Sequence, residues 1–229
     1  MFWYIDPVYM YVFFATLIIS VGVQIYLKNS FNKWSQVANS SHVTGVTAAK
    51  TIFANTSLQA IPLEAISGSM TDHFDPKANV VRLSEPVRQQ PSIAAMAIAA
   101  HELGHVQQYQ TGSAMIKARS FLLPALQFSP ILSYISLFLG LWFNMTNMLY
   151  LGIFFFSIMV LFSIMTIPVE FNASKRGLKL LEEAGLMKTE EDRKGARSIL
   201  NAAGMTYLAA AITSILQLLY YISIAKRRS

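Results

Sequence analysis

The sequence predicts a mainly α membrane protein, with about four transmembrane helices and a small α+β lobe, and three observations predict it. Hydrophobic residues fill 54% of the 229 positions and charged residues only 13%, about half the charged share of an ordinary soluble chain. Long uncharged stretches alternate with polar ones. All 18 Lys and Arg residues fall in three places, 28–119, 175–197 and the last four positions, the kind of clustering that sorts segments across a bilayer. A chain of 229 residues suits one functional domain interleaved with spans.

Residues 1–27 form the first element. Val8 to Leu27 is uncharged, opened by the helix-starting pair Asp6-Pro7 and closed by Lys28, and twenty apolar residues are enough to cross a bilayer. No basic leader or small-residue cleavage site accompanies it, so we expect an uncleaved anchor. Residues 28–119 form a polar lobe. Val43 to Asn55 reads as a helix with Thr44 as N-cap, Leu58 to Ser67 and Asn79 to Ser84 as short strands around the turn-rich SGSMTDHFDPKA, and Ser92 to Gln110 as an alanine-rich helix ending near Thr111-Gly112. Residues 120–168 are too long an apolar run for one crossing, and the polar break GLWFNMTN at 140–147 makes them a hairpin, with Pro124 and Pro130 in its first arm. Residues 169–203 return to polar sequence, and 204–229 hold a last apolar helix, Gly204 to Ala225, and a basic tail.

The positive-inside rule places residues 1–7 and the hairpin tip outside and both large polar segments in the cytoplasm. The tail Lys226-Arg227-Arg228 disagrees with a full fourth crossing. Either the tail is an exception or the last segment is re-entrant, and we expect a crossing. The net charge of +6 is scattered and forms no dense basic tract, which argues against nucleic acid as a partner. The chain has no cysteine, which excludes disulfides and thiolate metal sites and leaves His, Asp and Glu as metal ligands.

Within the alanine-rich helix lies His101-Glu-Leu-Gly-His105. Positions four apart share a helix face, so both imidazoles can address one ion, with Glu102 beside it as a proton acceptor. This is the spacing that hydrolysis by a zinc-activated water requires. In a chain with four histidines, two core histidines at this spacing are the poorer explanation. A catalytic zinc needs a third protein ligand and one open position. His42 and His73 lie upstream in loop-like sequence. The alternative is Glu170, just after Pro168, which a hairpin of two crossings returns to the face that carries the motif. The competing reading of Glu170 is an acid that merely pairs with Lys175 or Arg176 at the bilayer edge, and we expect the ligand role.

The runs AAHELGHVQQ and EFNASKRG, separated by a membrane hairpin, resemble the membrane zinc metalloproteases of the HtpX and CAAX-prenyl-protease group. With TDHFDP, the strand carrying RLSEP and the four-span layout, nearly the whole chain resembles the YugP-like neutral zinc metallopeptidases. The resemblance implies a zincin-like cytoplasmic lobe and a Zn2+ cofactor. It also implies His101, His105 and Glu170 as ligands with Glu102 as general base, the assignment the residues themselves suggest. Ser174 departs from the pattern, because the HtpX group has there an aspartate that supports a ligand histidine, so orientation falls to another partner such as Asn172 or a backbone carbonyl.

His73, within Asp72-His73-Phe74-Asp75, is a candidate for positioning substrate or stabilising an oxyanion, against a simple Asp-Pro turn. The strand Asn79 to Ser84 is a candidate for pairing with an extended peptide. Tyr109, four residues after His105, is read as an interface anchor. The expected activity is a metalloendopeptidase of the cell membrane, multi-pass, with its site on the cytoplasmic face, and its partners are the bilayer, a peptide or membrane-protein substrate and a membrane subunit or second copy. The competing class is a non-catalytic scaffold with a structural zinc, which His42 or His73 on the metal would favour.

Overall fold

The computed structural model describes residues 6–228; the first five residues of the expected 1–27 anchor therefore lie outside the described residues. The helices are α1 (Pro7–Ser35), α2 (Gly45–Asn55), α3 (Glu85–Gln89), α4 (Ile93–Gln110), α5 (Ala114–Phe121), α6 (Leu123–Trp142), α7 (Thr146–Glu183) and α8 (Glu190–Arg228). The strands are β1 (Leu63–Ile66), β2 (His73–Asp75) and β3 (Val80–Ser84). Among the described residues, four stretches are long and apolar enough to cross a membrane: α1, the run Ala114–Trp142, α7 and α8. The chain divides into two compact units, one of residues 1–24, 117–168 and 206–229, the other of 25–116 and 169–205.

The first unit is helical. Its α6 and α7 lie against each other through small residues: a Cβ on Gly152 would meet Leu137, one on Gly140 would meet Leu149, and the Ser133 hydroxyl donates to the Gly152 carbonyl at 3.0 Å. Where lipid replaces water, such close approach and interhelical hydrogen bonding hold helices together. Asp6 caps α1 by accepting the Val8 N–H at 3.0 Å, and it also pairs with Arg227 at 2.6 Å. Arg228 donates to the carbonyls of Gly140 and Leu141 at 3.4 and 3.3 Å, in the last turn of α6, and its own carbonyl accepts from the Thr146 hydroxyl at 3.4 Å. The start of α1, the hairpin tip and the basic tail therefore meet at one end of this unit.

The second unit packs α2, α3, α4 and the polar ends of α7 and α8 around a core that includes Trp34, Ile52, Leu83, Ile93, Met96, Leu103, Leu181 and Ile199. Thr44 caps α2 by accepting the Thr47 N–H, as the sequence predicts, and Ser92, read there as the first residue of the alanine-rich helix, caps α4 by accepting the Ala95 N–H. The sheet order is β1-β3-β2, with β1 parallel and β2 antiparallel to β3. This corrects the expectation for Asn79 to Ser84: β3 is the central strand, so both its edges are taken and it cannot accept a peptide. Among the described residues, the edge facing away from β3 on that side belongs to β2, which the sequence reads only as turn.

Charges hold β2 in place. Arg82 bridges Glu64 on β1 and Asp75 on β2 at 3.1 and 2.7 Å, and its hydrogen bond to Asp75 holds that carboxyl down at about 2. The Asp75 carboxylate also accepts the N–H groups of Lys77 and Ala78, closing the turn into β3. At the other end of β2, Asp72 accepts both the N–H and the hydroxyl of Ser84. Burial pushes the Asp72 carboxyl up against these hydrogen bonds, and the nearby Glu102 charge adds to the rise.

Candidate metal centre

On the side of α4 that meets α7, Ala100 is fully buried, and Gly104 continues the row one turn on. On α7 the matching positions are Ala173 and Gly177. A Cβ on Gly104 would lie 2.2 Å from the Ala173 carbonyl oxygen, and one on Gly177 would lie 2.6 Å from that of Ala100. The two backbones are thus as close as side-chain-free helices allow, and residues flanking this seam meet across it. His101 and His105 flank it on α4, Glu170 and Ser174 on α7.

Glu170 Oε2 lies 3.5 Å from His101 Nε2 and 3.4 Å from His105 Nε2, and one ligand atom from each of the three residues lies within 4.8 Å of the others. Tetrahedral zinc with bonds of about 2.0–2.2 Å sets neighbouring ligand atoms about 3.4 Å apart. The carboxylate oxygen stands at about this spacing from each nitrogen, and two imidazole nitrogens with one carboxylate oxygen suit zinc in donor chemistry. The side chain of Glu170 is 5% exposed, those of the histidines 13% and 15%, so the carboxylate is enclosed while the imidazole edges stay accessible.

Burial opposes ionisation of Glu170, but hydrogen bonds and charge from the two histidines outweigh it and hold the carboxyl far below its ordinary range. At His105 burial opposes protonation, yet the Glu170 hydrogen bond, the charges of Glu102 and Glu170 and the Gln108 contact together raise its pKa. Among the described residues, neither His42 nor His73 joins the ligand group.

Around these candidate ligands, Ser174 Oγ lies 3.1 Å from His101 Nδ1, so the residue that departs from the aspartate pattern still meets the ring. Sequence reasoning missed Gln108, which is fully buried and lies 3.1 Å from His105 Nδ1. Its amide nitrogen donates to the Val169 carbonyl at 2.8 Å and to Asn172 Oδ1 at 2.9 Å, and Arg176 Nε donates to the same Asn172 oxygen at 2.8 Å. Asn172, suggested by the sequence as a partner for a histidine, thus acts one step further out.

Glu102 is buried and accepts the backbone N–H of Phe74, on β2, at 2.9 Å. The Phe74 ring meets the Tyr109 ring edge-on with centroids 5.7 Å apart, so Tyr109 packs on the sheet edge rather than serving only as an anchor. The remaining sequence candidate, His73, turns Nδ1 to the Thr71 carbonyl at 2.9 Å.

A helix-borne His-Glu-x-x-His beside a carboxylate from another helix is the donor set of a zinc metallopeptidase. The family model described as "Putative neutral zinc metallopeptidase" matches residues 9–226. The chain belongs to this family. It is also 37% identical over 210 residues to the "Putative membrane protease YugP" of Bacillus subtilis (strain 168), covering 92% of this chain and 93% of that protein. No solved structure matches the chain.

Proposed function

We propose that this zinc metallopeptidase is a membrane-bound endopeptidase in which His101, His105 and Glu170 hold the metal and Glu102 is the general base. The observation that carries this reading is the convergence of the three candidate ligand atoms within 4.8 Å of one another, beside a carboxylate that faces a strand edge. Bound zinc would supply Lewis acidity and lower the pKa of a water to about 7. Glu102, with one oxygen fixed by the Phe74 N–H, takes the water's proton on its other oxygen and delivers it to the leaving nitrogen as the C–N bond breaks. In the antiparallel pairing the Phe74 N–H points away from β3, and so does its carbonyl, which leaves that carbonyl to accept an N–H from an extended substrate. His73 stands at the same edge as a substrate-positioning residue. With its Nδ1–H on Thr71, its neutral ring offers Nε2 as an acceptor, and only the protonated ring would donate to an oxyanion.

The lobe built from 28–119 and 169–203 is zincin-like in this reading, with its site on the cytoplasmic face, and acts in membrane-protein processing or quality control. Metal content tests the assignment: purified wild type should carry about one zinc per chain, and His101→Ala and Glu170→Ala should each lose it. Zinc retained in Glu170→Ala would require another third ligand. A fourth position closed by a protein ligand would instead favour the structural-zinc scaffold.

A full crossing by α8 is supported by the clasp among Asp6, Arg227, Arg228 and the hairpin tip. With the tail at the same end of the first unit as the start of α1, α8 crosses fully. The tail's charges are matched there by a carboxylate and by helix-end carbonyls, which accounts for the exception to the positive-inside rule. The chain has no native cysteine, so single cysteines report cleanly. In intact cells an impermeant maleimide should label Met145→Cys and should reach Gln90→Cys only after lysis; the reverse pattern would invert the topology.

A further inference from the structure

We infer that Gln108 is the positioning residue that fixes the ring state of His105, turning its Nε2 lone pair toward the metal position; this inference rests on the zinc reading above. Donor and acceptor chemistry decides the orientation of the amide. The Val169 carbonyl can only accept, and so can Asn172 Oδ1, because the Arg176 guanidinium that also reaches that oxygen can only donate. The end of the Gln108 amide facing both is therefore its NH2 group, with both hydrogens used. The end facing His105 is then the carbonyl oxygen, at 3.1 Å from Nδ1, and it can only accept. Nδ1 must carry the proton, and a neutral imidazole with Nδ1–H keeps its lone pair on Nε2, the atom 3.4 Å from Glu170.

Among the described residues, His101 has no such device. Its Nδ1 faces the Ser174 hydroxyl, which both donates and accepts and so suits either tautomer. Gln108 also ties the His105 ring to the carbonyl of Val169, the residue before Glu170, so one amide addresses two of the three ligands from α4 and α7. Full burial of Gln108 makes each of these bonds costly to leave unmade.

The test is zinc affinity of the full chain in detergent micelles, measured by competition with a chromophoric chelator, for wild type, Gln108→Leu, Gln108→Glu and His105→Ala. Gln108→Leu should bind zinc about 10–100-fold more weakly. Gln108→Glu keeps an acceptor for Nδ1–H but sets an oxygen that cannot donate against the Val169 carbonyl and Asn172 Oδ1, so it should recover part of that loss. Wild-type affinity in Gln108→Leu, or equal weakness in the Leu and Glu variants, overturns the inference. If wild type binds no zinc, or His105→Ala binds as wild type does, it is the metal reading itself that fails. Should Gln108→Leu not fold, nitrogen-15 imidazole shifts of the zinc-bound wild type decide, since a His105 ring with its proton on Nε2 is incompatible with the proposal.

Discussion

Glu102→Gln is expected to keep about one zinc per chain and to lower cleavage by about 10²–10⁴-fold, a loss of about 3–5 kcal/mol of transition-state stabilisation. The two side chains have nearly the same shape. The Gln carbonyl can accept the Phe74 N–H that Glu102 now accepts at 2.9 Å, so β2 should stay where it is. Glu102 is not one of the three residues whose ligand atoms converge, so metal content should not follow the substitution. What the amide cannot do is take a proton from water and return it to a leaving nitrogen. The measurement is cleavage of a panel of quenched fluorescent peptides alongside zinc analysis of the same samples. Undiminished cleavage would remove Glu102 from the mechanism; loss of zinc would show that it shapes the metal site as well.

The histidine pair was legible in the sequence because helical geometry alone puts positions 101 and 105 on one face. Glu170 was legible for a different reason, the parity of two crossings, although 64 residues separate it from His105. Capping by Thr44 followed from local chemistry and needs no tertiary information. Gln108 was not legible, because it stands beside Gln107, and only the packing of α4 on α7 decides which of the two turns to Val169 and which to Arg176.

The sheet shows the same limit. A three-residue strand inside SGSMTDHFDPKA is hidden by turn residues, and its pairing is fixed by Arg82 and Ser84 from further along the chain. Without that pairing, β3 reads as an edge when it is the centre. Ser174 lies between these cases: the sequence marks it as a departure, and only the structure shows the hydroxyl still within 3.1 Å of His101.

Gly104→Ala should be the most damaging substitution that touches no polar group of the site. Its added methyl would sit 2.2 Å from the Ala173 carbonyl oxygen and 2.9 Å from the carbonyl carbon. Both are backbone atoms, which cannot turn aside as a side chain does. Relief requires α7 to move away from α4, and Glu170 and Ser174, carried on the same helix as Ala173, move with it. Overpacking of this kind costs about 1–3 kcal/mol, and displacing one ligand should weaken zinc binding by at least about tenfold. Gly22→Ala is the matched control, since nothing lies within 4 Å of a Cβ there and alanine is the better helix residue. Thermal unfolding with and without added zinc separates the two effects. Gly104→Ala should lower the metal-free midpoint and shrink the rise that zinc gives, whereas Gly22→Ala should leave both as in wild type or slightly higher. A Gly104→Ala protein with wild-type zinc affinity would mean that the three ligands do not depend on the contact between these two backbones, and that the metal site is held together from elsewhere in the lobe.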